Sequence, residues 1–286
     1  MSRGFDIQQP GLSDELAEAP AIERRPRPRR VLLPVLLFVA TCYTTYKAHG
    51  PAFSAAVMFT LLAHELGHFI QAIRYHVPAS LPYFIPMPAS PIGTMGAVIA
   101  MQPGVGDRRS IFDIGISGPL AGLVPALVFS IVGLQWSEVI VVNERLAGTQ
   151  LGEPLLFKAI SSLIFGPLRE NQDILLHPLA FAGWVGVFIT ALNLVPIGQL
   201  DGGHVLYCLL LKRAHGVAQL LLFGAMAGMV IFGYWQWIIM IFLLMLVGPI
   251  HPPTANDNIP LGTGRTILGW ASLLFVPLGF TPVPFM

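Results

Sequence analysis

Charge is what this sequence has least of: Asp, Glu, Lys and Arg together make up 11% of its 286 residues, against 54% hydrophobic ones. A soluble domain carries about 25% charged residues, so water is not the solvent for most of this surface. A mean hydropathy of +0.69 says the same. The 16 basic and 15 acidic residues nearly cancel, and the basic ones form no surface-wide stripe of the kind that holds nucleic acid. No nucleic-acid partner is expected. Cysteine is nearly absent too: Cys42 and Cys208 lie singly in apolar stretches, leaving neither a disulfide framework nor a cysteine metal site. The first 30 residues lack an apolar core, and acids at Asp6, Asp14, Glu15, Glu18 and Glu23 do not suit a cleaved signal or a transit peptide.

That first stretch is expected to be a polar cytoplasmic tail, because it ends in RRPRPRR (Arg24 to Arg30) directly before an apolar run and basic residues flank spans on the cytoplasmic side. Residues 31–286 then read as one integral membrane domain in the lipid bilayer. A spanning helix needs about 20 apolar residues, and runs of that kind lie near 31–47, 52–75, 111–136, 176–197, 217–233, 235–250 and 266–282. The expected fold is an all-α multi-pass membrane protein with about six to seven transmembrane helices. The break near Gly233 and Tyr234 is the weakest of these divisions.

Two connections carry further signals. Val77 to Met101 is too rich in proline for a helix, and its later part, GTMGAVIAM, reads as a short strand or hairpin between the second and third spans. Open backbone at membrane depth must be covered by protein or line a wet cavity. The 93–101 strand could offer an edge to an extended peptide, with Gly96 as a candidate substrate contact. In the 137–173 loop, LLFKAISSLIFGPL reads as an amphipathic helix lying on the membrane surface.

The chemistry concentrates in HELGH, His64 to His68, inside the second apolar run. Histidines four apart share one helical face and can ligate one zinc, with Glu65 beside them as a base for an attacking water. Ionisable groups are costly in a bilayer, which favours a functional site over three satisfied core residues. A catalytic zinc takes a third protein ligand. Asp113, beside Asp107, Arg108 and Arg109, suits a helix-start charge; Asp201 follows Pro196 and Gly198, which break the fourth span, and precedes Gly202 and Gly203.

HELGH and LDGGH together, with Asn193, Pro196, Leu200, Asp201, Gly202 and Gly203 meeting NxxPxxxLDGG, resemble the site-2 protease family of intramembrane zinc metalloproteases. SGPLAG (Ser117 to Gly122) and GTMGAVI extend the resemblance over roughly residues 50–210, and LPYFIP, NLVPIGQLDGGH and HPPT resemble the branch with plant chloroplast and bacterial homologues. The resemblance implies one zinc per chain held by His64, His68 and Asp201, with Glu65 as general base. It implies membrane-protein substrates with a transmembrane segment. The apolar runs after residue 217 add flanking helices, both motifs lie near the cytoplasmic ends of their spans, which puts the site toward the cytoplasmic side, and the polar, acid-containing N-terminus suits a bacterial inner membrane. Asn193 is the candidate for substrate backbone or oxyanion, and His204 for orienting Asp201 or the substrate. Gly118 and Gly122 read as helix packing. His49, His76, His177, His215 and His251 are expected to have ordinary interfacial roles. A zinc transporter or client-holding protein is the alternative, disfavoured by Glu65; a zinc hydrolase of lipid-linked substrates is disfavoured by LDGGH.

Overall fold

In a computed structural model of the chain, which describes residues 31–102, 104–141, 151–169 and 171–285, the first two expected spans form one run of helix, α1 (Leu32–Arg74). The run breaks between them at His49 and at Gly50, whose φ of 80° suits glycine. Pro51 follows at the start of the second half, where its missing N–H costs no helical hydrogen bond. Thr45 and Ser54 bond across the break at 2.7 Å. In the second half Phe53, Val57, Leu61, His64 and His68 recur at steps of three or four and all are buried, so the site histidines share the helix face that packs into the protein. The tail at 1–30 and residues 142–150 of the 137–173 loop lie outside the described residues.

Helix α2 (Arg108–Gln135) starts at Asp107, whose carboxylate accepts from the Ser110 N–H at 2.8 Å. Helix α4 (Pro178–Asn193) is shorter than expected and almost wholly buried. It packs against both α1 and α2. Phe181, Trp184 and Phe188 stack along it at centroid spacings of 5.8 and 5.2 Å, and with Phe53, Val57 and Leu61 they form the main apolar core. Three helices among the described residues are long and apolar enough to cross a membrane: α1, α2 and α6 (Arg213–Phe232).

After α4 the chain turns through Gly198 (φ 58°) into α5 (Asp201–Leu210), a helix the sequence reading did not anticipate. Gly233 (φ 70°) ends α6 where the weak break was expected. The expected 235–250 span holds a 3-10 turn, Trp235–Trp237, that runs into α7 (Ile238–Val247), and α8 (Thr263–Gly279) closes the helical part.

Two antiparallel two-stranded sheets complete the fold. Strand β1 (Tyr83–Pro86), in the segment expected only to be proline-rich, pairs with β2 (Thr94–Val98). Strand β3 (Glu138–Val141) pairs with β4 (Gln172–Leu175) on either side of the amphipathic helix α3 (Leu155–Phe165). That helix buries only Phe157 and Ser161, and Leu163 is 86% exposed, as a helix lying against a nonaqueous surface would be.

Candidate metal centre

The second half of α1 and the first residue of α5 bring three ligating side chains to one point. His64 Nε2 lies 3.1 Å from Asp201 Oδ2, His68 Nε2 lies 3.2 Å from Asp201 Oδ1, and the two Nε2 atoms are 3.2 Å apart. Around a tetrahedral zinc with Zn–N bonds of about 2.0–2.1 Å, neighbouring donors stand about 3.3 Å apart. These separations, which involve both oxygens of Asp201, have the size expected between ligands of one zinc.

Hydrogen bonding points to the same reading. His68 Nδ1 donates to the carbonyl of Ile114 at 2.7 Å, so a neutral His68 turns a bare Nε2 toward the carboxylate of Asp201. Two acceptors that close are held together by a proton or, in its place, a metal ion. The Ile114 carbonyl also fixes the ring orientation, the usual office of the group behind a metal-ligating histidine. Among the described residues, His64, His68 and Asp201 are the group able to hold a metal ion.

Helix α2 makes room for this cluster. A β-carbon on Gly118 would overlap the ring of His68, and one on Gly122 would come within 3.0 Å of His64 Cβ. The expectation of helix packing holds in kind, yet what these glycines accommodate is the site histidines themselves. On the other side Gly202 lies against the backbone of Leu194 and Val195, so only glycine lets the first turn of α5 fold back on the end of α4.

The cluster opens into a cleft lined by His64, Glu65, His68, Asn193, Asp201 and His204 on one side and by Ala97, Val98, Ile99 and Met101 on the other. Glu65 is 3% exposed and carries its carboxyl at this wall. Asn193, the last residue of α4, donates from Nδ2 to His64 Nε2 at 3.3 Å, which sets its amide beside the metal position. Gly96 is not part of the wall. Its φ of +96° and the bond from its N–H to Thr94 Oγ1 at 3.0 Å give it a bending role in β2.

His204 lines the cleft but bonds away from Asp201: its Nδ1 is 2.6 Å from Nε2 of His251. His251 was expected to be an ordinary interfacial histidine. Instead it is 5% exposed, stacks on Tyr207 at 4.4 Å, and is held at around pKa 4 by burial. HPPT gave too little signal to find it, since its partner lies 47 residues earlier. In the same 248–262 segment Asp257 accepts from Tyr207 Oη at 2.8 Å and Thr254 Oγ1 at 2.7 Å. Burial alone would raise its carboxyl, and these donors hold it below its ordinary range. Asp113 is not the helix-start charge expected: Asp107 caps α2, and Asp113, in its second turn, takes both arms of the Arg265 guanidinium at 2.8 and 2.7 Å.

Comparison with known proteins adds an independent line. Residues 52–233 match the profile of Peptidase family M50. The chain is 32% identical over 240 residues to a probable zinc metalloprotease, EGY1, of the Arabidopsis thaliana chloroplast, covering 79% of this chain and 42% of that protein. It is 29% identical over 227 residues to the probable chloroplast zinc metalloprotease EGY2 of the same plant, covering 76% of this chain and 40% of the relative. The chain thus spans about 40% of the length of the curated relatives it matches. These relatives are named as chloroplastic and lend no support to a bacterial inner membrane. No solved structure matches the chain. Donor chemistry and relatives agree on zinc as the metal.

Proposed function

The chain belongs to Peptidase family M50, the site-2 protease family, and from that premise we propose that it is an intramembrane zinc endopeptidase that hydrolyses peptide bonds in or beside transmembrane segments of membrane proteins. The observation that carries the reading is the cluster of His64, His68 and Asp201, whose side chains approach one another at 3.1 to 3.2 Å, with Glu65 on the wall of the same cleft.

Bound to His64, His68 and Asp201, a zinc ion supplies Lewis acidity, which polarises a carbonyl and makes water a nucleophile near neutral pH. Glu65 takes the proton from the attacking water as its oxygen bonds to the scissile carbonyl carbon. The same carboxyl then gives that proton to the amine nitrogen as the C–N bond breaks. Asn193 Nδ2 donates to the oxygen on which negative charge develops. A transmembrane helix conceals its backbone, so the substrate unwinds locally and lies extended in the cleft. The edge of β2 not taken by β1 pairs with it, which accounts for a strand beside the site.

In this reading α1 crosses the bilayer twice, about its break at His49 and Gly50, and the shorter, buried α4 crosses in the shelter of its neighbours. Residues 31–286 form one membrane domain with the polar tail on the cytoplasmic side. Arg108 and Arg109 bond to the carbonyls of Cys208 and Pro260, and Arg265 pairs with Asp113. These cations thus gather at the end where α2 begins, supporting a cytoplasmic orientation for the end nearer the site.

The test is zinc content and cleavage of a single-span test substrate in detergent, compared between wild type and Glu65→Gln. Both proteins are expected to hold about one zinc and only wild type to cut. Zinc in both with no cleavage of several substrates would favour a transporter or client-holding protein. Zinc in neither would remove the site.

A further inference from the structure

The cleft has two walls, and an extended peptide has two hydrogen-bonding edges. If one edge pairs with β2, the carbonyl and N–H groups of the other edge face the wall built from α4, α5 and the turn between them. That wall needs a donor and an acceptor. Asn193 Nδ2 is a donor at the end of α4. The acceptor follows from a chain of two histidines.

His251 Nδ1 faces the carbonyl oxygen of Pro252, which can only accept, so Nδ1 carries the proton. In the neutral ring, the form that burial favours down to about pH 4, Nε2 is then bare. The His204 Nδ1 at 2.6 Å must therefore be the donor, and a neutral His204 is left with a bare Nε2. A metal dication in the same cleft disfavours a second proton there. Among the described residues this Nε2 has no hydrogen-bond partner, and no buried side-chain nitrogen or oxygen is without one. It is accordingly accessible, and the open surface of His204 is the cleft.

The strap from 248 to 262 holds His251 in this state. His215 Nε2 donates to the His251 carbonyl at 3.1 Å, and the His251 ring stacks on Tyr207. The strap is pinned by backbone bonds from Ala255 N to Gly106 O and from Arg108 N to Asn256 O at 2.9 and 3.3 Å, and by Arg109 Nε on the Pro260 carbonyl at 2.6 Å. Such fastening is more than a connector between α7 and α8 requires, and it fixes the tautomer of a residue in the cleft.

We infer that His204 is a further substrate-binding residue, whose Nε2, oriented by His251, accepts a hydrogen bond from a backbone N–H on the substrate edge turned away from β2. The ligand class is an extended peptide of any sequence, since only main-chain groups are read. The inference rests on the peptidase reading above and deepens it.

The experiment uses full-length wild type, His204→Ala and His204→Gln, each zinc-loaded in detergent. Their substrates are a single-span peptide series in which backbone N–H groups around the scissile bond are replaced one at a time by ester oxygens. In wild type, apart from the positions paired with β2, one position on the opposite edge is expected to raise KM about three- to tenfold, the worth of one neutral hydrogen bond. His204→Ala should show that rise already with the unmodified peptide, no further rise at that position, kcat within about twofold, and zinc still at one per chain. His204→Gln, whose amide oxygen can reach the cleft, should recover part of the loss; should His204→Ala not fold, this variant's retained sensitivity to the same ester decides. An unchanged KM in His204→Ala, the same ester penalty in His204→Ala as in wild type, loss of zinc in His204→Ala, or in its place an insensitive His204→Gln, would overturn the inference while leaving the peptidase reading intact. A zinc-loaded wild type that cuts nothing would overturn both.

Discussion

Gly118 lies so close under the imidazole of His68 that a β-carbon there would overlap the ring. The ring cannot swing aside without losing the bond from Nδ1 to the Ile114 carbonyl at 2.7 Å. Gly118→Ala is therefore expected to weaken zinc binding by about 10- to 100-fold, the range seen when the support behind a metal ligand is lost. Zinc retained after dialysis against graded chelator measures it, with circular dichroism to verify that the helices remain. Retention equal to wild type would mean that α2 can retreat from α1 without disturbing His68.

Zinc binding to three side chains from α1 and α5 should also hold those helices together. An ion that binds only the folded state stabilises it by about 2.7 kcal/mol at a free concentration one hundred times its Kd. Chelation of wild type is expected to lower the thermal midpoint, and Asp201→Asn, with a poorer third ligand, should lose most of that sensitivity. If the variant and wild type lost the same number of degrees, Asp201 would not be a ligand.

Away from the site, Asp113 joins the start of α2 to the start of α8 through Arg265 and also accepts from Tyr75 Oη. Arg265 is 37% exposed in its side chain and Asp113 15%, so screening by solvent takes much of the Coulomb energy. Arg265→Ala is expected to cost about 1–2 kcal/mol, near the upper end for a two-armed pair. Arg265→Lys should recover less than half of it, because an ammonium cannot make both bonds. A double-mutant cycle with Asp113→Asn reads the coupling, and additive losses would show that the two side chains act separately.

The site was legible where its information is local. HELGH needs only helical spacing to put His64 and His68 on one face. Pro196 and Gly198 mark the turn that delivers Asp201, and the resemblance joined the two motifs. The break of α1 at His49 and Gly50 falls between the apolar runs near 31–47 and 52–75, so that division was legible from apolar length. The remainder depends on which surfaces meet. Gly118 and Gly122 could be read as packing positions but not as neighbours of His68 and His64, because that follows from the placement of α2 against α1. YFIP looked like a proline-bearing connector until its partner β2 was known. EVIV and QDIL, four residues each, are too short to show a strand period, and thirty or more residues of chain separate their pairing positions.

The same limit concealed His251, and its burial yields a pH prediction. Its ordinary pKa is 6.5 and the folded protein lowers it to about 4, chiefly by burial. The unfolded chain thus binds this proton first. The contribution to stability is complete above about pH 6.5, declines as the pH falls below it, and is gone near pH 4. The groups facing the ring are His204 and Tyr207 of α5, His215 of α6 and Asp257 of the strap itself; the Asp257 carboxylate opposes the shift and does not cancel it. Thermal midpoints of chelated wild type and chelated His251→Gln, measured from pH 7 to 4.5, should converge at the acid end, with wild type losing on the order of 2 kcal/mol more. Chelation removes zinc release from the comparison, and the other acid-sensitive groups are common to both proteins. Parallel curves would mean that His251 already carries its proton in the fold. In that case its Nε2 would donate to His204, and the tautomer that turns a bare nitrogen into the cleft would be lost.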